Sequence, residues 1–239
     1  MSENSENSEK IVKKIIVLAI PGDNFSSKFL ICWTNTLNTL WQTGKYEFII
    51  ASGVNDFLPY ARMKTLGLNV INGIFQKPFS GSNFDIWLTI NNDILFSPEQ
   101  IIDLIESTEK HPVVSGLYKT EDLINFSAVK NLESSYFVKN GFYEHLTQES
   151  IDQWKNETQL KYMPVAYTGL GFFAMRSEVL NRMAYPYFNG DMIEIIEGEK
   201  IIRNYTSEDF NFCQNIKKLG YEIVVNTDIR VGHLKNLVI

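Results

Sequence analysis

The segment Trp87-Leu88-Thr89-Ile90-Asn91-Asn92-Asp93 is an apolar strand that ends in two amides and a carboxylate, and Ser97-Pro98-Glu99-Gln100 opens a helix directly behind it. A buried strand that delivers acid and amide groups to its C-terminal end is how open α/β sheets build ligand sites. Further along, Ser207-Glu208-Asp209 stands at a helix start and His233 follows a last strand. Brought together, these oxygen and imidazole groups suit a hard or borderline divalent cation.

The rest of the chain supplies the alternating elements that such a sheet needs. Ile11 to Ile20 reads as a buried strand broken at Pro21-Gly22. Ser27 to Trp41 is a helix, with Phe29, Leu30, Trp33, Leu37, Leu40 and Trp41 near helical spacing, and Glu47 to Ala51 is the next strand. Pro59 to Leu66 suits a short helix stopped by Gly67, followed by a short strand at Leu68 to Ile71 and the cluster-bearing strand at Phe84 to Ile90. The helix behind Asp93 is the best marked: Ser97 caps, Pro98 takes the first helical position, Gln100 completes a capping box, and Ile101, Ile102, Leu104 and Ile105 form its apolar face.

Val113 to Leu117 reads as a further strand, after which the periodicity fades from Lys119 to Tyr162, as in an insertion bearing a hairpin. Val165 to Tyr167 is a short strand leading into Thr168-Gly169-Leu170-Gly171, with Phe172 to Met175 extended and a helix near Ser177 to Met183. Pro186 to Tyr205 resembles a mobile loop. Thr206 or Ser207 caps a helix with Phe212, Cys213, Ile216 and Leu219 on its apolar face and Gly220 behind it, and Glu222 to Val225 is one more strand.

At 239 residues and 44% hydrophobic content the chain can bury a full core, and no linker divides it. The organisation expected is a disordered tail over residues 1–10 and one domain over 11–239. A formal net charge of −6, with no basic block longer than Lys13-Lys14 or Lys217-Lys218, excludes nucleic acid as a partner. Cys32 and Cys213 lack metal or redox spacing and fall in apolar helical patterns, as core thiols do. The N-terminus has no apolar signal core and no later run has the length of a membrane span, so a soluble, cytoplasmic protein without a transmembrane segment is expected.

Each candidate group has an ordinary structural role beside the chemical one. Asp93, at the strand end, can hold a cation that also bridges nucleotide phosphates, and Asn91 and Asn92 can meet a ribose or a ring edge; Asn and Asp also make turns after strands. Glu208 and Asp209 can serve as a general base and its partner, while acids in a first helical turn are favoured by the dipole alone. Gly169 and Gly171 lack the lysine of a phosphate loop and read as a tight turn allowing a sugar to approach, with Tyr167, Phe172 and Tyr205 as aromatic faces for it, core packing being the fate expected of Phe173 and the alternative for Phe172. A histidine such as His233 is more often structural than a ligand; its place behind Gly232, after the last strand, favours the ligand role.

Arg62, then Asn91-Asn92-Asp93-Ile94-Leu95-Phe96-Ser97-Pro98-Glu99, then Val113-Val114-Ser115-Gly116-Leu117-Tyr118 resembles the nucleotide-sugar half of GT-A fold glycosyltransferases. Tyr167-Thr168-Gly169-Leu170-Gly171-Phe172, Ser207-Glu208-Asp209-Phe210-Asn211-Phe212-Cys213 and Val231-Gly232-His233 follow in the order of the acceptor half of the compact family-2-like enzymes. The resemblance covers most of 15–233 and leaves 119–162 unmatched. It implies a single GT-A-like, Rossmann-like α/β domain with a mixed, mainly parallel sheet flanked by helices, residues 11–118 binding the nucleotide sugar and 119–239 the acceptor.

By the same resemblance, Asp93 is the last acid of a D-x-D motif whose first position is Asn91 here, and Asp93 and His233 hold Mn2+ or Mg2+. Pro21, Arg62, Asn91, Asn92 and Asp93 would contact the nucleotide, Thr168, Gly169 and Gly171 the sugars, and Asp209 with Glu208 would deprotonate the acceptor. The activity implied is transfer, with inversion, from a nucleoside diphosphate sugar, a UDP-sugar first among them, to a hydroxyl of a glycan or glycoprotein. The compact form suits a bacterial or large-virus enzyme. A sugar nucleotidyltransferase fits less well because Pro21-Gly22-Asp23-Asn24 offers no basic cradle for a triphosphate; a non-catalytic nucleotide-sugar binding module is kept open by Asn91.

Overall fold

The computed structural model describes residues 12–235, so the tail expected over 1–10 lies outside the described residues. Along the chain come β1 (Lys14–Pro21), α1 (Ser27–Thr43), β2 (Tyr46–Gly53), α2 (Leu58–Lys64), β3 (Ile86–Ile90), β4 (Ile94–Leu95), α3 (Pro98–Ser107) and β5 (Val113–Leu117). Next are β6 (Ala128–Val129), α4 (Ser134–Asn140), α5 (Gln148–Thr158), β7 (Tyr162–Val165), β8 (Tyr167–Thr168), β9 (Phe172–Arg176) and α6 (Ser177–Arg182). The last are β10 (Met192–Glu197), β11 (Lys200–Tyr205), α7 (Glu208–Lys218), β12 (Ile223–Arg230) and β13 (Gly232–His233).

Seven strands form one mixed sheet in the order β2-β1-β3-β9-β5-β12-β7. β1 pairs in parallel with β2 and β3, as does β5 with β12, while β9 runs against β3 and β5 and β7 against β12; five strands therefore share a direction. The period-2 alternation of each strand sends neighbours to opposite layers. Val17, Ala19, Trp87, Phe173 and Met175 join the core on one face, and Ile16, Leu18, Leu88, Phe172 and Ala174 that on the other. Continuous apolar strands are what a sheet covered on both faces demands. The fold class is the α/β architecture expected.

β1 lies between β2 and β3, so the chain leaves it to one side and returns on the other. The loops that follow β1 and β3 leave the sheet on the same face, toward α1 and α3, and lie side by side beyond its C-terminal edge, the region where open α/β sheets bind ligands. α3 packs beside α1 on that face. Ser97 Oγ accepts from Gln100 N–H and the Gln100 side chain accepts from Ser97 N–H, the capping box anticipated.

Three local expectations are corrected. Leu68 to Ile71 is not a strand; Val70–Asn72 makes a 3-10 turn, because the Asn69 side chain caps Ile71 N–H and the Gln76 amide donates to Asn69 and Gly73 carbonyls. The region 119–162 is more than a hairpin: besides a tight antiparallel turn that sets Lys119 opposite Phe126 it carries β6 and two helices, α5 being held by reciprocal Thr147 and Ser150 bonds with Ile151 and Trp154 buried. The loop expected at 186–205 is mostly the antiparallel hairpin β10–β11, with Glu197 paired to Lys200 across Gly198-Glu199 and Gly198 at φ 59°. Cys213 is buried as expected and Cys32 only half-buried. Among the described residues, no helix is long and apolar enough to cross a membrane.

Candidate functional site

The ends of β1 and β3 bring together Pro21, Asn91, Asn92 and Asp93 of the predicted donor-side residues, whereas Arg62 lies with the acid pair instead. Pro21 closes β1 and is buried, and Gly22, at φ 120°, donates to Gly53 O at 2.8 Å. A Cβ at Gly22 would stand 3.0 Å from the Asn92 amide nitrogen, so glycine is needed there for space as well as for backbone conformation. Asn92 Nδ2 donates to Asn24 O at 2.8 Å and thereby ties the two loops together. Asn91 donates its N–H to Gly171 O at 2.9 Å, and its Oδ1 is buried without a partner.

Asp93 and His233 are 140 positions apart and meet because β13 pairs with β4, aligning His233 with Ile94. Leu234 N–H locks the junction by donating to Asp93 O at 2.7 Å. His233 Nδ1 lies 2.6 Å from Lys119 O and its Nε2 3.0 Å from Asp93 Oδ2, so both ring nitrogens face acceptor oxygens. A backbone carbonyl behind one ring nitrogen orients the imidazole, a support that metal-binding histidines share.

Asp93 Oδ1, like Asn91 Oδ1, is buried with no partner. Acceptor oxygens left bare under cover, beside an oriented imidazole, fit a divalent cation. Among the described residues no group of three or more His, Cys, Asp or Glu converges on one point, so the protein would supply few ligands. That is the usual manner of magnesium, which is held by one or two carboxylates with substrate phosphates completing the set. Lys235 adds a positive charge, its Nζ 3.8 Å from Asp93 Oδ2 and 3.7 Å from Glu121.

The second cluster surrounds Arg62, which α2 buries to 1% exposure. Its Nε lies 3.6 Å from Glu208 Oε1, its Nη2 3.6 Å from Asp209 Oδ1, and its Nη1 donates to Leu170 O at 3.4 Å. The acids stand in the first turn of α7, capped by Ser207 Oγ accepting from Phe210 N–H. They serve the helix dipole and the guanidinium together. Asp209 Oδ2 accepts from Leu170 N–H at 3.2 Å, and Oδ1 has no hydrogen-bond partner.

Burial pushes the Asp209 carboxyl up to about 6; the Arg62 charge opposes this, Glu208 adds to it, and the Leu170 N–H opposes it. A carboxylate in that range is ionised near neutrality and still basic enough to accept a proton.

The two clusters meet at the Leu170-Gly171 peptide. Leu170 serves Asp209 and Arg62, while Gly171 accepts from Asn91 and donates to the Tyr118 hydroxyl at 3.1 Å. The Tyr118 ring lies edge-on to His233 at 5.2 Å. Burial and the nearby Asp209 charge push the Tyr118 phenol up to about 12, so it keeps its proton.

The glycine pair is explained by this tyrosine. A Cβ at Gly169 would overlap the Tyr118 and Ser127 hydroxyls, and one at Gly171 would lie 2.8 Å from Tyr118 Oη, so the close approach these glycines permit is that of Tyr118. Thr168 is fully buried, its Oγ1 donating to Ser127 O at 3.0 Å, and Phe172 is core rather than a face for a sugar. Sequence reasoning missed Lys235, which stands beyond the last recognisable strand, and the Leu170 amide, which carries no side-chain signal. A cavity of about 320 Å³ beside α2, lined by Tyr60, Met63, Lys64 and Tyr185, holds none of these groups.

No protein-family model and no curated protein matches the chain. Among solved structures it is similar to A197 from STIV, at 14% identity and TM-score 0.49, covering 94% of this chain and 87% of that one. It is also similar to GalNAc-T7, whose structure was solved with UDP, GalNAc and Mn2+, at 14% identity and TM-score 0.47. That match covers 96% of this chain and 44% of the other. Likeness at this level says nothing about activity.

Proposed function

We propose that the chain is a GT-A-like glycosyltransferase that moves a sugar from a nucleoside diphosphate sugar, a UDP-sugar first among the candidates, to a hydroxyl of a glycan or glycoprotein, with inversion. The observation that carries this reading is the junction at Leu170-Gly171. It joins a cation-suited end (Asn91, Asp93, His233) to a carboxylate raised toward neutrality (Asp209), and each end presents an unpartnered oxygen. Leaving-group neutralisation and acceptor deprotonation are the two requirements of displacement at an anomeric carbon.

Residues 11–118 would bind the donor and 119–239 the acceptor. Pro21, Asn91 and the Asn92-braced loops would form the nucleotide site, while Asp93 and His233 would hold Mn2+ or Mg2+. Once bound, that cation neutralises charge on the diphosphate. Asp209 takes the proton of the acceptor hydroxyl as its oxygen bonds to the anomeric carbon; the anomeric C–O bond to the diphosphate breaks, and the diphosphate leaves with the electron pair. Arg62 holds Glu208 and Asp209 in place and keeps Asp209 ionised, and the Leu170 amide fixes the carboxylate orientation.

The test is a thermal-shift and calorimetric panel of UDP, GDP, CDP, TDP and ADP, each with and without Mn2+. One nucleotide, UDP first, should stabilise the protein in a metal-dependent manner, by about 2.7 kcal/mol at a hundredfold excess over Kd. Asp93→Ala should abolish the shift. Absence of any nucleotide response would overturn the proposal, and release of pyrophosphate from a nucleoside triphosphate would replace it with nucleotidyl transfer.

A further inference from the structure

Ser207 and Phe210, on either side of the acid pair in sequence, both line a cavity of about 140 Å³. Its other walls include Phe142 and Tyr143 behind α4, Tyr167 of β8, and Asn204 and Tyr205 at the end of β11. Phe142 and Tyr143 come from the stretch whose periodicity fades, and Asn204 and Tyr205 from the hairpin that replaced the expected loop. Tyr143 stacks on Phe210 at 6.1 Å and 3°, and Tyr167 meets Phe210 edge-on at 5.2 Å, so the rings form a rigid wall in a core cluster separate from those of the sheet.

Three properties define the occupant. No charged side chain lines the cavity, which disfavours phosphates, carboxylates and amines. Its volume is that of one six-membered ring; a cavity of about 150 Å³ in another protein holds one benzene. Aromatic faces joined by the Asn204 amide and the Ser207 and Tyr167 hydroxyls match a ring with apolar C–H faces and polar edges. At the mouth, Phe142 is 50% and Tyr205 64% exposed.

We infer that this cavity takes one ring of an uncharged sugar and, because Ser207 and Phe210 in its wall belong to the turn of α7 that carries Asp209, serves as the acceptor subsite. The inference rests on the transferase reading for the role of Asp209; the ring site itself does not.

Saturation-transfer NMR on the full chain, with and without UDP and Mn2+, tests it with methyl glycosides of neutral hexoses, N-acetylhexosamines and hexuronic acids. Neutral glycosides should respond and hexuronides should not. Phe142→Ala and Tyr205→Ala, both at exposed positions, should each weaken glycoside binding at least tenfold while leaving melting temperature and nucleotide binding unchanged. A nucleotide response without a neutral-glycoside response overturns the subsite and spares the transferase reading. Preference for hexuronides, or glycoside binding undiminished in both variants, also overturns the inference. Glycoside binding lost in the variants, with no nucleotide response in any condition, keeps the ring site and removes the transferase.

Discussion

Replacing Arg62 by methionine should damage the fold in a way that depends on pH, and the structure sets the size of the effect. The guanidinium is 1% exposed and stands 3.6 Å from a carboxylate oxygen of each of Glu208 and Asp209. At an effective dielectric of about 20, a pair 3.6 Å apart is worth roughly 5 kcal/mol before desolvation. Removing one partner of a buried charge cluster costs about 3–5 kcal/mol net, because the remaining charges stay behind uncompensated. At this chain length each kcal/mol lowers Tm by about 2–4 °C.

The pH signature separates this mechanism from simple loss of packing. Arg62 holds the Asp209 carboxyl down, so its removal raises that group above the value of about 6 it has now. A carboxyl raised in the folded state contributes stability that is present below its unfolded value of about 3.9 and lost as pH rises through the folded value. Arg62→Met should therefore be least harmful near pH 4–5, where Asp209 is protonated, and most harmful at pH 8. Urea unfolding followed by circular dichroism at both pH values measures it. A loss below about 1 kcal/mol at pH 8, or an equal loss at both pH values, would refute the account of Arg62 as the counter-ion of the acid pair.

Two further outcomes follow from the same geometry. Turnover should fall on the acid side with an apparent midpoint near 6, as Asp209 becomes protonated, and Asp209→Asn should abolish transfer at every pH while nucleotide binding measured by calorimetry is retained; a flat pH–rate profile would remove Asp209 as the base. Gly169→Ala should destabilise by about 1–3 kcal/mol in urea unfolding, because its methyl overlaps the Tyr118 and Ser127 hydroxyls, and removing the Tyr118 hydroxyl with Tyr118→Phe should relieve part of that loss.

Local physics was legible wherever one segment contained its own instructions. The capping box at Ser97, the Ser207 cap of α7 and the apolar runs of β1, β3, β5 and β9 are encoded within a few residues, so the α/β class and the order of its elements could be read directly. The failures share a cause. α5 and the β10–β11 hairpin bury little of their own surface, leaving a weak apolar period, and the turn at Val70 is set by a glutamine reaching back from position 76.

The sequence by itself determined which groups lie at strand and helix ends: Asn91 and Asp93 behind β3, Glu208 and Asp209 at the start of α7, and His233 behind β12. Only the tertiary structure decided what those groups face. The β4–β13 ladder places His233 on Asp93, the burial of Arg62 gives the acid pair its counter-charge, and Tyr118 fills the space of the two glycines. Spacing along a chain fixes direction within one element, whereas charge pairing and burial depend on which distant elements pack together, and that is settled by the sheet order and the two cores.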